Sequence, residues 1–363
     1  MGPSKDQPGR TAPKDGQEGS SSQGQLAPAV KTGLVAIAPG LLGNASRART
    51  ALSWFLGLLG FLTLILVVLH FGSLERLVEL AQSAHPAWLL LALIAQAGTY
   101  VSAALVWRQA LRRAGHPRSL RTLVPLGIAK LFTDQVLPSG GISGTMLAVS
   151  GLIRRRVPAE GAMAAMLAGL VSYDIAYLMV VLASAGILWL HHRANLPLYS
   201  GVAVFAVITV AIPAGVLGLK HWGDRPPIAW ASRWLGMTDL FRALARAPTD
   251  LLYSPGLLIE TTGLQLAIFV LDALTLWLAF NSIGDVPDIW VVFVSFAIAS
   301  MIATIGPIPI GLGTFEAGSV GMLSFLGVSI EAALAGTILL RGLTFWLPML
   351  PGLWLARREI GRL

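Results

Sequence analysis

Hydrophobic positions along the chain fall in long unbroken runs, not in the short periodic patterns of half-buried elements. Six stretches, Ala51–Phe71, Ala87–Val106, Ala162–Leu190, Gly201–Leu219, Leu258–Phe280 and Ala333–Leu355, are long and apolar. A helix needs about 20 such residues to cross roughly 30 Å of hydrocarbon, so each predicts a membrane span. Two further regions, Leu123–Ile153 and Ile289–Phe325, are equally apolar but broken near their middles by PSGGISG (138–144) and PIPIGLG (307–313). Each predicts two ordinary spans or a pair of half-helices that dips in and returns. Residues 1–46 are rich in Gly, Ser, Pro and Gln and lack a signal-peptide pattern, which predicts a disordered cytoplasmic tail. Residues 47–363 then form a single transmembrane domain.

Basic residues choose between the topologies. Arg108, Arg112, Arg113, Arg118 and Arg121 follow the second span, and Arg154, Arg155 and Arg156 follow the first broken region. Lys220, Arg225, Arg233, Arg242 and Arg246 follow the fourth span, and Arg357, Arg358 and Arg362 end the chain. The opposite loops hold only Arg76 and Arg193. The positive-inside rule therefore places all four clusters and both termini in the cytoplasm. Leu123–Ile153 then enters and leaves on the cytoplasmic side, and Ile289–Phe325 on the outer side. Each reads as a re-entrant hairpin, although an even number of full crossings fits the charges equally well. Segment 220–257, where Trp222, Trp230 and Trp234 alternate with arginines, suits a helix lying in the cytoplasmic headgroup layer.

Composition agrees with a membrane location. The 363 residues are 55% hydrophobic and only 12% charged, with a mean hydropathy of +0.71. The net charge of +8 is explained by loops facing anionic lipid, so no nucleic-acid partner is expected. The absence of cysteine excludes disulfides and thiol chemistry.

The two broken regions also resemble each other. Pro138 and Pro309 lie 171 residues apart, as do Glu160 and Glu331. Gly140, Val149, Leu152, Val157, Ala162 and Ala164 find the same residues at that offset, giving eight identities in 27 positions. Duplicated segments of opposite orientation mark inverted-repeat transporters. The fold expected is an all-α polytopic helix bundle with inverted repeats, about 123–219 and 289–363, and two re-entrant hairpins. Backbone unpaired within a helix is tolerated at membrane depth only where protein or water satisfies it. The breaks, with Pro138, Gly140 and Gly141 in one and Pro309, Gly311 and Gly313 in the other, are thus expected to meet and line a polar cavity.

Six ionisable residues fall inside the predicted membrane segments: Lys130, Asp134, Asp174, Asp272, Glu316 and Arg341. Each costs at least about 2.5–3.5 kcal/mol at the bilayer centre unless partnered or wetted, which makes all six candidates for substrate contact. Lys130 and Asp134, spaced i,i+4, can pair locally. Gln265 and Asp272 share a helix face. Asp174 lies beside Tyr173 and near Tyr177, which suits either a hydrogen-bonded buried acid or a functional one. Glu316 and Arg341, in the second repeat, are the strongest candidates. No histidine has zinc-ligand spacing, and no GxSxG or Walker sequence occurs. Neither catalysis, a metal nor a cofactor is expected.

The pieces VLPSGGISG, PIPIGLGTFEAG and ILLRGLTFWLPMLPG resemble the transmembrane region of lysylphosphatidylglycerol synthases, over roughly residues 50–360. In that family a flippase-like membrane region is joined to a soluble aminoacyl transferase domain. The resemblance implicates Pro138, Gly140, Pro309, Gly311, Gly313, Glu316 and Arg341. It departs at TMLAVSG (145–151), where the family often carries a basic residue. The sequence ends eight residues after Leu355, so a stand-alone unit without the transferase is expected. The implied function is a lipid flippase or flippase-like transporter moving an aminoacyl-phospholipid or polyprenyl-linked lipid between leaflets. The alternative is an accessory subunit that binds or scaffolds a lipid-modifying enzyme. Its partners are membrane lipids and, on the alternative, a separate lipid-modifying enzyme; homo-oligomerisation stays open. Its place is the plasma (inner) membrane of a prokaryote.

Overall fold

The computed structural model describes residues 84–136, 141–193, 196–221, 254–305, 311 and 313–361, without the side chains of 212–221. The tail, the run Ala51–Phe71, residues 222–253 and the centres of both breaks lie outside the described residues. Pro138, Gly140 and Pro309 are among them, and so is the expected meeting of the two breaks.

Every described element is a helix: α1 (Pro86–Arg113), α2 (Leu120–Val136), α3 (Ile142–Arg154), α4 (Ala159–Leu190) and α5 (Leu196–His221), then α6 (Pro255–Ser282), α7 (Ile289–Ile305), α8 (Thr314–Phe325), α9 (Ile330–Arg341) and α10 (Leu347–Ile360). A five-residue π turn, Gly342–Trp346, joins α9 to α10. Helices α1, α4, α6 and the continuous α9–α10 are long and apolar enough to cross a membrane. Helix α1 runs past Val106 to Arg113 because helical hydrogen bonding continues beyond the apolar run, carrying Arg108, Arg112 and Arg113 with it.

The outer surface is that of a protein solvated by lipid. Leu90, Ile94, Val101, Met179, Leu182, Val204, Val207, Leu350 and Trp354 are all exposed. The interior instead holds small hydroxyl residues, Ser172, Thr261, Thr275, Ser319 and Thr337, none with exposed surface. Ser172 donates to the Ala168 carbonyl and Thr275 to that of Leu271, while Ser319 and Thr337 bond each other between α8 and α9 at 2.9 Å. Small polar residues of this kind let helices approach closely where lipid offers no hydrophobic drive for association.

Helices α1 and α6 form an antiparallel centre: Trp88 meets Trp277, Leu271 fills the space over Gly98, and Arg113 pairs with Glu260. Helix α4 packs on both, and Gln265 donates to the Gly169 carbonyl at 3.2 Å. Helices α2 and α3 form one antiparallel hairpin, with Leu126 against Gly151; α7 and α8 form another, with Ala299 against Gly318. Each hairpin leans on a long helix from the other half. Phe132 of α2 lies over Gly352 of α10, and Thr304 of α7 bonds the Tyr177 hydroxyl of α4 at 3.1 Å.

The bases of the hairpins lie at opposite ends of the bundle. At one end Arg154 and Arg155 pair with Glu359, and Arg118 donates to the Arg155 carbonyl at 2.6 Å. At the other end His191 stacks on Trp290 at 4.0 Å, and the His85 N–H donates to the Ser282 carbonyl.

Helix order from α1 to α4 recurs from α6 to α10, with each boundary displaced by 169 to 172 residues, for example 120 to 289 and 159 to 330. The recurrence thus reaches α1 and α6, outside the aligned window 138–164. Two of the sequence identities acquire a physical role. The Val157 N–H bonds the Leu152 carbonyl and the Val328 N–H bonds that of Leu323, closing α3 and α8 with the same left-handed cap. The residue in the left-handed conformation is Arg156 in one and Gly327 in the other.

A Cβ on Gly336 would lie 2.8–3.0 Å from the ring of Phe280, which is itself fully buried. Gly336→Ala should therefore destabilise the purified protein by about 1–3 kcal/mol through overpacking. Gly263→Ala and Gly321→Ala, with open space at the Cβ, should be neutral or gain up to about 1 kcal/mol of helix propensity. Unfolding of the three variants in detergent measures the difference.

Candidate functional site

Helix α8 begins at Thr314, directly after two glycines held at positive φ, Gly311 (+67°) and Gly313 (+81°). At Gly311 a side chain is also sterically excluded, since its Cβ would stand 2.8 Å from that of Ala303. This geometry ends one helix and starts the next within a few residues, leaving N–H and C=O groups outside any helical ladder. Two side chains satisfy one of each, at Gly313 and Gly311. The Gly313 N–H donates to Glu316 Oε2 at 2.6 Å, and Arg341 Nη2 donates to the Gly311 carbonyl at 3.2 Å. The two close on each other, with Arg341 Nε 2.6 Å from Glu316 Oε1.

Glu316 is almost fully buried, at 3% exposure, and its negative charge sits in the first turn of α8, where the helix dipole favours it. Arg341 ends α9, and the π turn after it turns Phe345 inward. The guanidinium carbon is 4.4 Å from the Phe315 ring centroid and 5.6 Å from that of Phe345. A planar cation between aromatic faces is held in place without losing its remaining donors. Among the described residues Nη1 has no hydrogen-bond acceptor.

The first break repeats the chemistry on a smaller scale. Asp134 Oδ1 accepts from the Gly144 N–H at 2.9 Å, in the first turn of α3, and Oδ2 pairs with Lys130 Nζ at 2.6 Å. Gly144 is required there, because a Cβ would collide with the Asp134 carboxylate. Gly141 takes φ +85° with open space around it. Lys130 and Asp134 share one helix, whereas Glu316 and Arg341 tie α8 to α9.

Asp174 and Asp272 do not join either hairpin. Asp272 faces Gln96 of α1. Asp174 Oδ2 is buried with no partner among the described residues. The neighbouring Tyr177 hydroxyl bonds Thr304 instead. The stripe of Gln265 and Asp272 on α6 faces two different neighbours: Gln265 bonds the Gly169 carbonyl of α4, and Asp272 faces Gln96 of α1. Sequence reasoning missed Gln96, Phe315 and Phe345. Phe315 adjoins Glu316 and Phe345 lies four residues after Arg341, so helical spacing from the two charges was the available signal.

The family model described as the lysylphosphatidylglycerol synthase TM region matches residues 33–352. The chain belongs to this family. No curated protein matches the sequence. The match to the synthase transmembrane region spans both hairpins, Glu316 and Arg341. Together with the long apolar helices, it makes this a multi-pass membrane protein whose function concerns membrane lipids.

Glu316 and Arg341 should behave as one unit in stability. Glu316→Gln or Arg341→Gln alone strands a buried charge and should cost about 3 kcal/mol or more. The double variant should recover most of that loss. A double-mutant cycle of unfolding free energies in detergent checks the coupling, and purely additive losses would refute it.

Proposed function

We propose that this member of the synthase transmembrane-region family is a lipid flippase or flippase-like transporter. It moves a polar-headed lipid, an aminoacyl-phospholipid or a polyprenyl-linked lipid, between leaflets and performs no catalysis itself. The observation that carries this reading is the Glu316–Arg341 pair fixed to interrupted backbone between α7 and α8. Interrupted helices whose free backbone groups and charges face one another are the usual construction of a transporter's binding site.

On this reading the two hairpins are re-entrant and the halves are inverted repeats. The short arms support it: α3 has 13 residues and α8 has 12. At 1.5 Å per residue they reach about 20 Å, well short of the roughly 30 Å hydrocarbon layer. Hairpin bases at opposite ends of the bundle support it as well. The end carrying Arg113, Arg118, Arg154 and Arg155 is then cytoplasmic. A headgroup enters beside Arg341, whose Nη1 offers a donor to a phosphate oxygen, while the acyl or prenyl chains stay in lipid. Hairpins that lean on the opposite half couple the two halves, so tilting one against the other would expose the site to each leaflet in turn.

Topology is tested with single cysteines, since the native chain has none. Cysteines at Ser119 and Glu160, both exposed, should be shielded from an outside thiol reagent, and those at Val286 and Ser329, also exposed, should react. Opposite labelling of Ser119 and Glu160 would overturn the re-entrant reading of the first hairpin.

Transport is tested in vesicles containing this protein alone. Wild type should speed exchange of a labelled aminoacyl-phospholipid or polyprenyl-linked lipid between leaflets, and the double variant Glu316→Gln/Arg341→Gln should be stable yet inactive. Full activity in the double variant would make the pair structural only. Movement seen only when a lipid-modifying enzyme is added would favour an accessory subunit.

A further inference from the structure

We propose that the outward face of α10 is a docking site for an anionic phospholipid, with the acyl chains on Leu347 and Leu350 and the phosphate on Arg357 and Arg358. The site is separate from Arg341 and does not rest on lipid transport.

Leu347, Leu350, Trp354 and Arg358 follow one another at helical spacing, so they fall on one face of α10. All four are exposed, Leu350 by 74% and Trp354 by 62%. Along the helix this face is aliphatic, then aromatic, then cationic. At 1.5 Å per residue the rise from Leu347 to Arg358 is about 16 Å, close to half of a roughly 30 Å hydrocarbon layer. The face therefore repeats the layout of a lipid in one leaflet: chains, then the glycerol region, then phosphate. Trp354 suits the middle level, because an indole has an apolar body and one polar N–H.

Two contacts keep the cationic end ready for an anion. The Arg358 guanidinium carbon lies 5.5 Å from the Trp354 ring centroid, a cation–π contact that orders the side chain without using its N–H donors. Glu359, the acid next in sequence, is denied to it. That carboxylate turns inward, 7% exposed, and is taken by Arg154 and Arg155 of α3. Arg357 and Arg358 are thus left exposed, with no acidic partner among the described residues. Arg121 and Arg156 add exposed positive charge at the same end of the bundle, so charge favours an acidic occupant. Elsewhere at this end Arg113 pairs with Glu260, and Arg118 donates to the carbonyls of Arg155 and Arg156. The apolar run leading up to the α10 cations decides between occupants. A water-soluble acidic surface has no use for exposed Leu350 and Trp354, whereas an anionic lipid matches both ends of the face.

The test is native mass spectrometry of the whole chain in detergent, titrated with phosphatidylglycerol or with phosphatidylcholine. Wild type should bind phosphatidylglycerol more tightly than phosphatidylcholine. Arg357→Gln/Arg358→Gln should weaken phosphatidylglycerol binding about 20-fold, or about fivefold for each arginine. Trp354→Ala should weaken it less. Arg112→Gln/Arg121→Gln removes the same charge from the same end but off α10, and should leave the affinity unchanged. Inorganic phosphate, which has no chains for the aliphatic part of the face, should not displace the lipid. Equal affinity for the two lipids would leave the face to an acidic protein surface and overturn the proposal. An equal loss in both arginine pairs would also overturn it, since the attraction would then be diffuse charge, and so would displacement by phosphate. Weakening confined to Glu316→Gln/Arg341→Gln would place the bound lipid beside Arg341 instead and refute it too. Lipid movement is not read, so failure here leaves the flippase reading untouched, and the reverse holds.

Discussion

A peptide group in hydrocarbon must find its hydrogen bond inside the protein, and on the re-entrant reading the arrangement of Gly311, Gly313, Glu316 and Arg341 answers that constraint. Breaking a helix at membrane depth frees N–H and C=O groups that lipid cannot satisfy. Glu316 and Arg341 satisfy one of each, at Gly313 and Gly311, and neutralise each other while doing so. Neither charge would be tolerable there alone, and the break would not be tolerable without them. The glycines follow in turn. Positive φ at Gly311 and Gly313 brings the backbone groups toward the charges, and Ala303 leaves no room for a side chain at Gly311.

The same constraint explains how the two halves hold each other. Each hairpin has one arm too short to bury its own apolar surface, so it borrows a long helix from the other half. Phe132 seats on Gly352 at one end and Trp290 on His191 at the other. Polar contacts finish the bases of the hairpins. Glu359, 7% exposed, receives Arg154 and Arg155 together, so the close of α3 is tied to the close of α10. The resulting bundle has a common centre in α1 and α6 and two exchanged arms, an arrangement in which neither half is complete alone.

How much of this was legible in the sequence depended on the range of the physics involved. Apolar runs depend on composition over about 20 residues, and they located α1, α4, α5, α6 and α9–α10. Pro and Gly act on their own backbone, so the breaks at 138–144 and 307–313 part α2 from α3, whose first turn takes the last three residues of the first break, and α7 from α8. Local spacing gave the Lys130–Asp134 pair, since i,i+4 neighbours meet on any helix. The identities Leu152/Leu323 and Val157/Val328 proved to be cap residues, which act within six positions. Contacts between helices were another matter. Gln96 with Asp272, Arg154 and Arg155 with Glu359, and Phe280 under Gly336 depend on helix register, which apolar spans specify weakly because any face suits lipid. Asp174 illustrates the limit: its tyrosine neighbours in sequence do not satisfy it, because Tyr177 points to α7.

The two breaks share a plan but differ in where each acid finds its cation. Asp134 takes its cation from its own helix one turn away, so the pair moves as part of α2 and needs nothing else to stay neutral. Glu316 takes its cation from α9, across an interface, and that cation sits immediately before a π turn. A π turn departs from regular α-helical winding, and such turns often occur at functional sites. Rewinding Gly342–Trp346 would move Phe345, and with it one of the two rings that hold the Arg341 guanidinium. On the flippase reading, a headgroup bonding Nη1 would act on a cation held across an interface, whereas one reaching Lys130 would meet a closed local pair. On that reading the second break, tied across the α8–α9 interface, is the one able to respond, and the first, closed within α2, is the scaffold.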